Sequence, residues 1–175
     1  MENVLKSVCN RTNGELYIGV VGSVRSGKSM FIRKFIECKV LPFTKEEEKN
    51  KVIDELPQSA EGKTIMTVEP KFVPSNSAKI KIEDFYTNIR LVDCVGYVID
   101  GAKGYEDEEG PRMVKTPWFD EQIPFVEAAE VGTEKVIKDH SKIGIVVTTD
   151  GSIGEFKRNE YVEAEKRVVT ELKEY

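Results

Sequence analysis

Gly22, Gly27, Lys28 and Ser29 fill every fixed position of the phosphate-binding spacing G-x-x-x-x-G-K-[ST], in the run Gly22-Ser23-Val24-Arg25-Ser26-Gly27-Lys28-Ser29. Between a strand and a helix, such a loop points several backbone N–H groups at one spot, where the helix dipole already favours an anion. Lys28 adds a mobile positive charge for the β- and γ-phosphates, and the Ser29 hydroxyl reaches Mg²⁺. The flanks suit this chemistry better than a glycine-rich turn with a chance lysine. The apolar run Leu16 to Val21 leads in, and a helix-like segment, Met30 to Val40, leads out.

Two further groups extend the phosphate loop toward a nucleoside triphosphatase. Leu91-Val92-Asp93-Cys94-Val95-Gly96 is an apolar strand running into Asp-x-x-Gly, about 65 residues beyond Lys28. In GTPase-like proteins that carboxylate sits behind Mg²⁺, and the glycine offers its N–H to the γ-phosphate. Asp-x-x-Gly is also a common turn; its placement after a complete phosphate loop gives it weight. The second group is a threonine in Gly62 to Pro70, whose hydroxyl ligates Mg²⁺ while its N–H senses the γ-phosphate. Thr64 and Thr67 both suit that role, and spacing alone does not choose between them.

Other chemistry-bearing residues carry less. Arg25, inside the loop, could stabilise charge developing during transfer, but a solvated or paired guanidinium is the plainer reading. Gln58 reads as a loop amide rather than a water-orienting group. His140, the one histidine, reads as a capping or surface residue. The acidic run Glu106 to Glu109 reads as a solvated stretch. Trp118 and Phe119 form either a partner patch or, more commonly for such residues, an anchor of their segment on the core.

The elements needed to position these groups follow an alternating order. Glu15 to Val21 is expected as a buried strand after a polar lead-in of residues 1–14. Ser29 to Val40 is expected as a helix with Phe31, Ile32, Phe35 and Ile36 on one face, closed by Pro42. The charged run Lys45 to Lys51 reads as a solvated helix face. Ala78 to Glu83 and Asn88 to Cys94 read as a strand pair around a turn at Asp84 to Thr87. Val95 to Ser141 reads as a long, proline-marked insertion with a short helix from Thr133. Lys142 to Thr149 is a further buried strand. The last element is an amphipathic helix with Tyr161, Val162, Val168, Val169 and Leu172 at helical spacing. The expected fold is α/β, a phosphate-loop NTPase of the GTPase-like (TRAFAC) type. Its sheet is mostly parallel with flanking helices, and its site lies at the carboxyl ends of the strands.

Composition is consistent with one such domain, residues 15–175. The chain has 175 residues, 39% hydrophobic and 33% charged, with a net charge of −5, which gives no general affinity for nucleic acid. Cys9, Cys38 and Cys94 make neither a disulfide framework nor a zinc spacing and suit a reducing compartment. No apolar run approaches the ~20 residues of a membrane span. The guanine-reading [NT]-K-x-D motif does not follow the strand at Lys142 to Thr149. The domain is therefore expected to be cut before its last strands, and the residues alone fix no base.

From about Leu16 onward, the phosphate loop Gly22 to Ser29 included, the chain resembles the stage IV sporulation protein A family. The likeness is carried by Asp54 to Ser59, Thr64 to Thr67 with Glu69 to Pro74, and Asp93 to Tyr97. Pro111 to Val114, Thr116 to Asp120, Asp139 to Ser141 and Val146 to Glu155 add to it. The resemblance implies a GTPase-related ATPase using ATP and Mg²⁺, of which this is the N-terminal nucleotide-binding part. It matches Lys28 and Ser29 to the phosphate-loop pair, Asp93 to the metal-side aspartate and Thr67 to the sensor threonine. It also implies polymerisation into the spore-coat basement layer in the mother-cell cytoplasm, at the forespore surface. The implied partners are further copies of the protein, other coat proteins and a small amphipathic membrane-anchoring peptide. The residues leave open a nucleotide-binding scaffold without turnover, and a GTPase switch.

Overall fold

Leu16, Ile18, Val20 and Val21 are all buried, as a strand covered on both faces requires. The computed structural model describes residues 4–57, 68–82 and 85–175. Its first elements are α1 (Val4–Arg11), β1 (Glu15–Val21), α2 (Lys28–Phe35), α3 (Glu46–Asp54), β2 (Lys71–Ile82) and β3 (Phe85–Asp93). There follow β4 (Glu106–Asp107), β5 (Gly110–Pro111), β6 (Met113–Val114), β7 (Ile123–Pro124), α4 (Phe125–Lys135), β8 (Ile143–Val146) and α5 (Arg158–Glu174). The main sheet has the order β2-β3-β1-β8. β1 runs parallel to β3, with Val20 opposite Asp93, and parallel to β8. Only β2 is antiparallel, paired to β3. The fold is mixed α/β with a mostly parallel sheet.

Alternation along β1 divides the core between two faces. Leu16, Ile18 and Val20 pack with Ile32, Ile36 and Val40 of the helix after the phosphate loop, and with Ile89 and Leu91 of β3. Tyr17 and Val21 turn to the opposite face, with Val92, Val136, Ile137 and Val168. Each fully buried Ile or Leu contributes about 1.5–3 kcal/mol relative to an exposed one. Helices on both faces therefore clamp the sheet and fix the strand ends where the loops emerge.

Several boundaries differ from the sequence expectation. The polar lead-in folds as α1, and its Cys9 is buried against the core. The helix after the loop is α-helical only to Phe35; Ile36–Val40 continue in wider π-type turns, and Pro42 lies in the short 3₁₀ turn Leu41–Phe43. β2 begins at Lys71, ahead of Ala78, because a register break between Val73 and Ala78 absorbs Pro74 in an edge strand. β3 begins at Phe85; residues 83 and 84 lie outside the described part of the expected turn. α4 starts at Phe125, well before Thr133, with Phe125, Ala128, Ala129, Gly132 and Thr133 forming its buried stripe. Along α5, Tyr161 and Val168 are buried, whereas Val169 is 38% exposed.

Candidate functional site

The chain leaves β1 at Val21 and turns at once into the phosphate loop. Two backbone contacts fix the turn: a bridge between Ser23 and Tyr97, and the Val24 N–H donated to the Tyr97 carbonyl at 2.8 Å. The Val24 side chain anchors it, buried among Ile99, Ala102, Phe156 and Tyr161. Arg25 (φ 61°) and Gly27 (φ 98°) take left-handed backbone, which brings the chain round into α2. Gly27 is exposed, and a Cβ built on it would meet nothing within 4 Å. No side chain caps the N-terminus of α2, so its first N–H groups remain available to an anion.

Lys28 is 5% exposed and folds back on this loop. Its Nζ donates to the Ser23 carbonyl at 2.6 Å and to the Gly22 carbonyl at 3.5 Å. Burial lowers the Lys28 pKa, and the neighbouring Cys94 and Asp93 oppose that shift. Beneath the loop, Ser29 Oγ donates to Asp93 Oδ2 at 3.3 Å. The other oxygen, Asp93 Oδ1, is shut from solvent without a hydrogen-bond partner. Burial raises the Asp93 pKa, partly offset by Lys28 and the Ser29 hydrogen bond. Ser23 Oγ and Ser26 Oγ are likewise buried and unpartnered. A carboxylate oxygen and a hydroxyl side by side form a hard-donor pair suited to Mg²⁺, and the loop donors suit phosphate.

Beyond Asp93 the chain passes under the loop. Gly96 (φ 90°) lies so close that a Cβ there would stand 2.1 Å from the Gly22 oxygen and 2.6 Å from Lys28 Nζ. The Gly96 N–H donates to Thr133 Oγ1 at 3.2 Å, and Thr133 in turn donates to the Ala129 carbonyl at 2.8 Å. Cys94, also buried and facing Thr133, has its thiol pKa pushed up to about 11 by burial. The Tyr97 hydroxyl donates to Glu171 on α5, and burial with that hydrogen bond raises its pKa. Arg167 lies 4.2 Å over the Tyr97 ring and binds both Glu130 oxygens, at 2.6 and 3.1 Å.

The phosphate loop from Gly22 to Ser29, Asp93 and Gly96 thus converge at the ends of β1 and β3. Thr64, Thr67 and Gln58 lie outside the described residues. His140 packs edge-on against the Phe72 ring, 5.6 Å between centroids. Glu106 to Glu109 are exposed, and no group of three His, Cys, Asp or Glu side chains among the described residues is placed to hold a metal. Trp118 packs over Gly132 on α4 and so ties the insertion down. Thr133 as a neighbour of Gly96 lies beyond the sequence reading; the signal that could have found it is the small-residue stripe Ala128, Ala129, Gly132 and Thr133, a helix face that something approaches closely.

The family described as stage IV sporulation protein A, ATPase domain, matches residues 1–175. The stage IV sporulation proteins A of Bacillus anthracis and of Bacillus subtilis (strain 168) are each 59% identical over 174 residues. The protein of that description from Clostridioides difficile (strain 630) is 56% identical over 173 residues. Each match covers 98% of this chain but 35% of the relative, so the chain spans about a third of their length.

Proposed function

Because the chain belongs to the stage IV sporulation protein A family, matched over its ATPase domain, we propose that it binds ATP with Mg²⁺ at Gly22–Ser29 and hydrolyses it. The observation that carries this is the Ser29–Asp93 pair: a buried carboxylate with one oxygen unpartnered, directly below a phosphate-loop lysine. The loop N–H groups and the N-terminus of α2 bind the phosphates, and Lys28 exchanges its carbonyl partners for phosphate oxygens. Ser29 and Asp93 would hold Mg²⁺ from the protein side, and Thr67, matched to the sensor threonine by the family resemblance, would complete the set. The metal, when bound, neutralises charge across the β- and γ-phosphates. Gly96, one strand away, offers its N–H to the terminal phosphate, the arrangement of a GTPase-like switch. In the whole protein, hydrolysis would drive polymerisation of the spore-coat basement layer in the mother cell, at the forespore surface. Its partners there would be other copies, coat proteins and an amphipathic anchoring peptide.

A scaffold that binds nucleotide without turnover is the second reading. It draws on the Gly96 N–H being engaged by Thr133. The test is turnover of ATP and of GTP by the parent chain, Lys28→Ala and Asp93→Asn. ATP should be preferred, and each substitution should lower turnover at least about 100-fold, the scale of losing a charge-stabilising group. Preference for GTP, or activity indifferent to Lys28→Ala, would sink the assignment. ATP that stabilises the fold yet stays intact through long incubation would favour the scaffold.

A further inference from the structure

We propose that the Gly96–Thr133 hydrogen bond is a latch, opened when the terminal phosphate of a bound triphosphate takes the Gly96 N–H. Thr133 is then a positioning residue for the switch segment. The proposal rests on the ATP reading above and adds a residue and a conformational step to it.

One N–H makes one strong hydrogen bond, so Gly96 cannot serve Thr133 and a phosphate oxygen together. Thr133 is fully buried, so water does not compete for the bond. Its hydroxyl proton is already committed to Ala129 at 2.8 Å, which leaves its lone pairs to the Gly96 N–H. Gly96 meanwhile abuts the phosphate loop, as the close approach to Gly22 and Lys28 shows. The switch segment therefore has no room to move bodily inward. It can redirect the N–H by rotating about residue 96, which a glycine allows with little strain.

The latch is tied into a wider frame. Glu130, less than one turn before Thr133 on α4, grips Arg167 of α5 through two hydrogen bonds. Arg167 covers the Tyr97 ring, and the Tyr97 hydroxyl holds Glu171. Gly96 and Tyr97 are thus fastened to α4 and α5 respectively, and α4 is fastened to α5. Opening the bond at Gly96 loosens one side of this closed frame, so the α4–α5 packing registers whether a triphosphate or a diphosphate is bound.

The test compares affinities for Mg²⁺ with a non-hydrolysable ATP analogue and with ADP, in the parent chain, Thr133→Val and Thr133→Ser. Thr133→Val keeps the shape but removes the oxygen acceptor, leaving the Gly96 N–H only the weakly accepting Cys94 sulfur. It should tighten analogue binding about fivefold, the effect of one ordinary hydrogen bond, and leave ADP within about twofold. Thr133→Ser keeps the hydroxyl and should match the parent. An unchanged ratio of triphosphate to diphosphate affinity overturns the latch alone. If the parent binds neither nucleotide, the ATP reading fails and takes the latch with it. Should Thr133→Val not fold, the Gly96 amide resonance of the ¹⁵N-labelled parent decides. It should move with the analogue and hardly with ADP; equal movement with both, or none, overturns the proposal.

Discussion

The phosphate loop and the Asp93–Tyr97 segment leave adjacent parallel strands at the same end of the sheet, yet one is fastened mainly through backbone and a buried lysine and the other through side chains of distant helices. The loop is held by its own buried lysine and by backbone: Lys28 bonds the Ser23 and Gly22 carbonyls, Val24 N–H bonds the Tyr97 carbonyl, and the Val24 side chain enters a small apolar cluster. The Asp93–Tyr97 segment is held from outside, at Gly96 by α4 and at Tyr97 by α5. A receptor that must keep its shape suits the first arrangement. A part that must respond suits the second, because at Gly96 and at Tyr97 the fastening is a single side-chain hydrogen bond worth about 1–3 kcal/mol.

Glycine replacement offers the harshest test of that contrast. Gly27→Ala meets open space and bears only the backbone strain of its φ of 98°, about 1–3 kcal/mol. Gly96→Ala bears comparable strain, and its Cβ must also displace the Gly22 backbone from 2.1 Å. We expect Gly96→Ala to cost about 3 kcal/mol or more and to exceed Gly27→Ala clearly, measured by urea unfolding of both. Equal costs would mean that the two segments are not packed backbone on backbone.

Tyr97→Phe probes the outside fastening more gently. It keeps the ring beneath Arg167 and the backbone contacts to Ser23 and Val24, and removes only the hydroxyl that Glu171 accepts. The expected loss is about 1.5–3 kcal/mol for a hydrogen bond to a charged group, seen as a melting point lowered by about 3–12 °C. Nucleotide affinity should change less than about threefold, since the phosphate loop is braced by the Tyr97 backbone. A large affinity loss with little thermal effect would reverse the roles assigned to the two segments.

This difference in fastening also governs what the sequence could reveal. The phosphate loop was legible because its geometry is built from neighbours in sequence, at fixed spacing. β1, the helix after the loop, the β2–β3 hairpin and α5 were legible for the same reason, through period and length. Thr133 and Glu171 were not, because they meet Gly96 and Tyr97 across 37 and 74 residues. The stretch read as a proline-marked insertion, Val95 to Ser141, hid the start of α4, because Pro124 stands just before that helix rather than inside it.

Asp93 stands at the hinge of the comparison, at the end of β3 and against the phosphate loop, and gives the smallest stability effect with the clearest sign. Its folded pKa is raised, burial outweighing the pull of Lys28 and the Ser29 hydrogen bond. The folded state therefore holds this proton more tightly than the unfolded one, and Asp93 contributes most to stability below the ordinary aspartate range. That contribution falls as pH rises from there toward the raised folded value. Ionised Asp93 is thus a local cost at neutral pH, one that the proposed cation would offset. Asp93→Asn removes the charge while keeping an oxygen for Ser29. It should raise the melting point at neutral pH by about 2–4 °C, the effect of about 1 kcal/mol in a chain of this size. The gain over the parent should shrink as pH is lowered through the carboxylate range, and Mg²⁺ with nucleotide should erase it by stabilising the parent alone. A gain that instead grew toward acid pH would mean that Asp93 is stabilised as a carboxylate by the fold itself, which would remove the reason to assign it a cation.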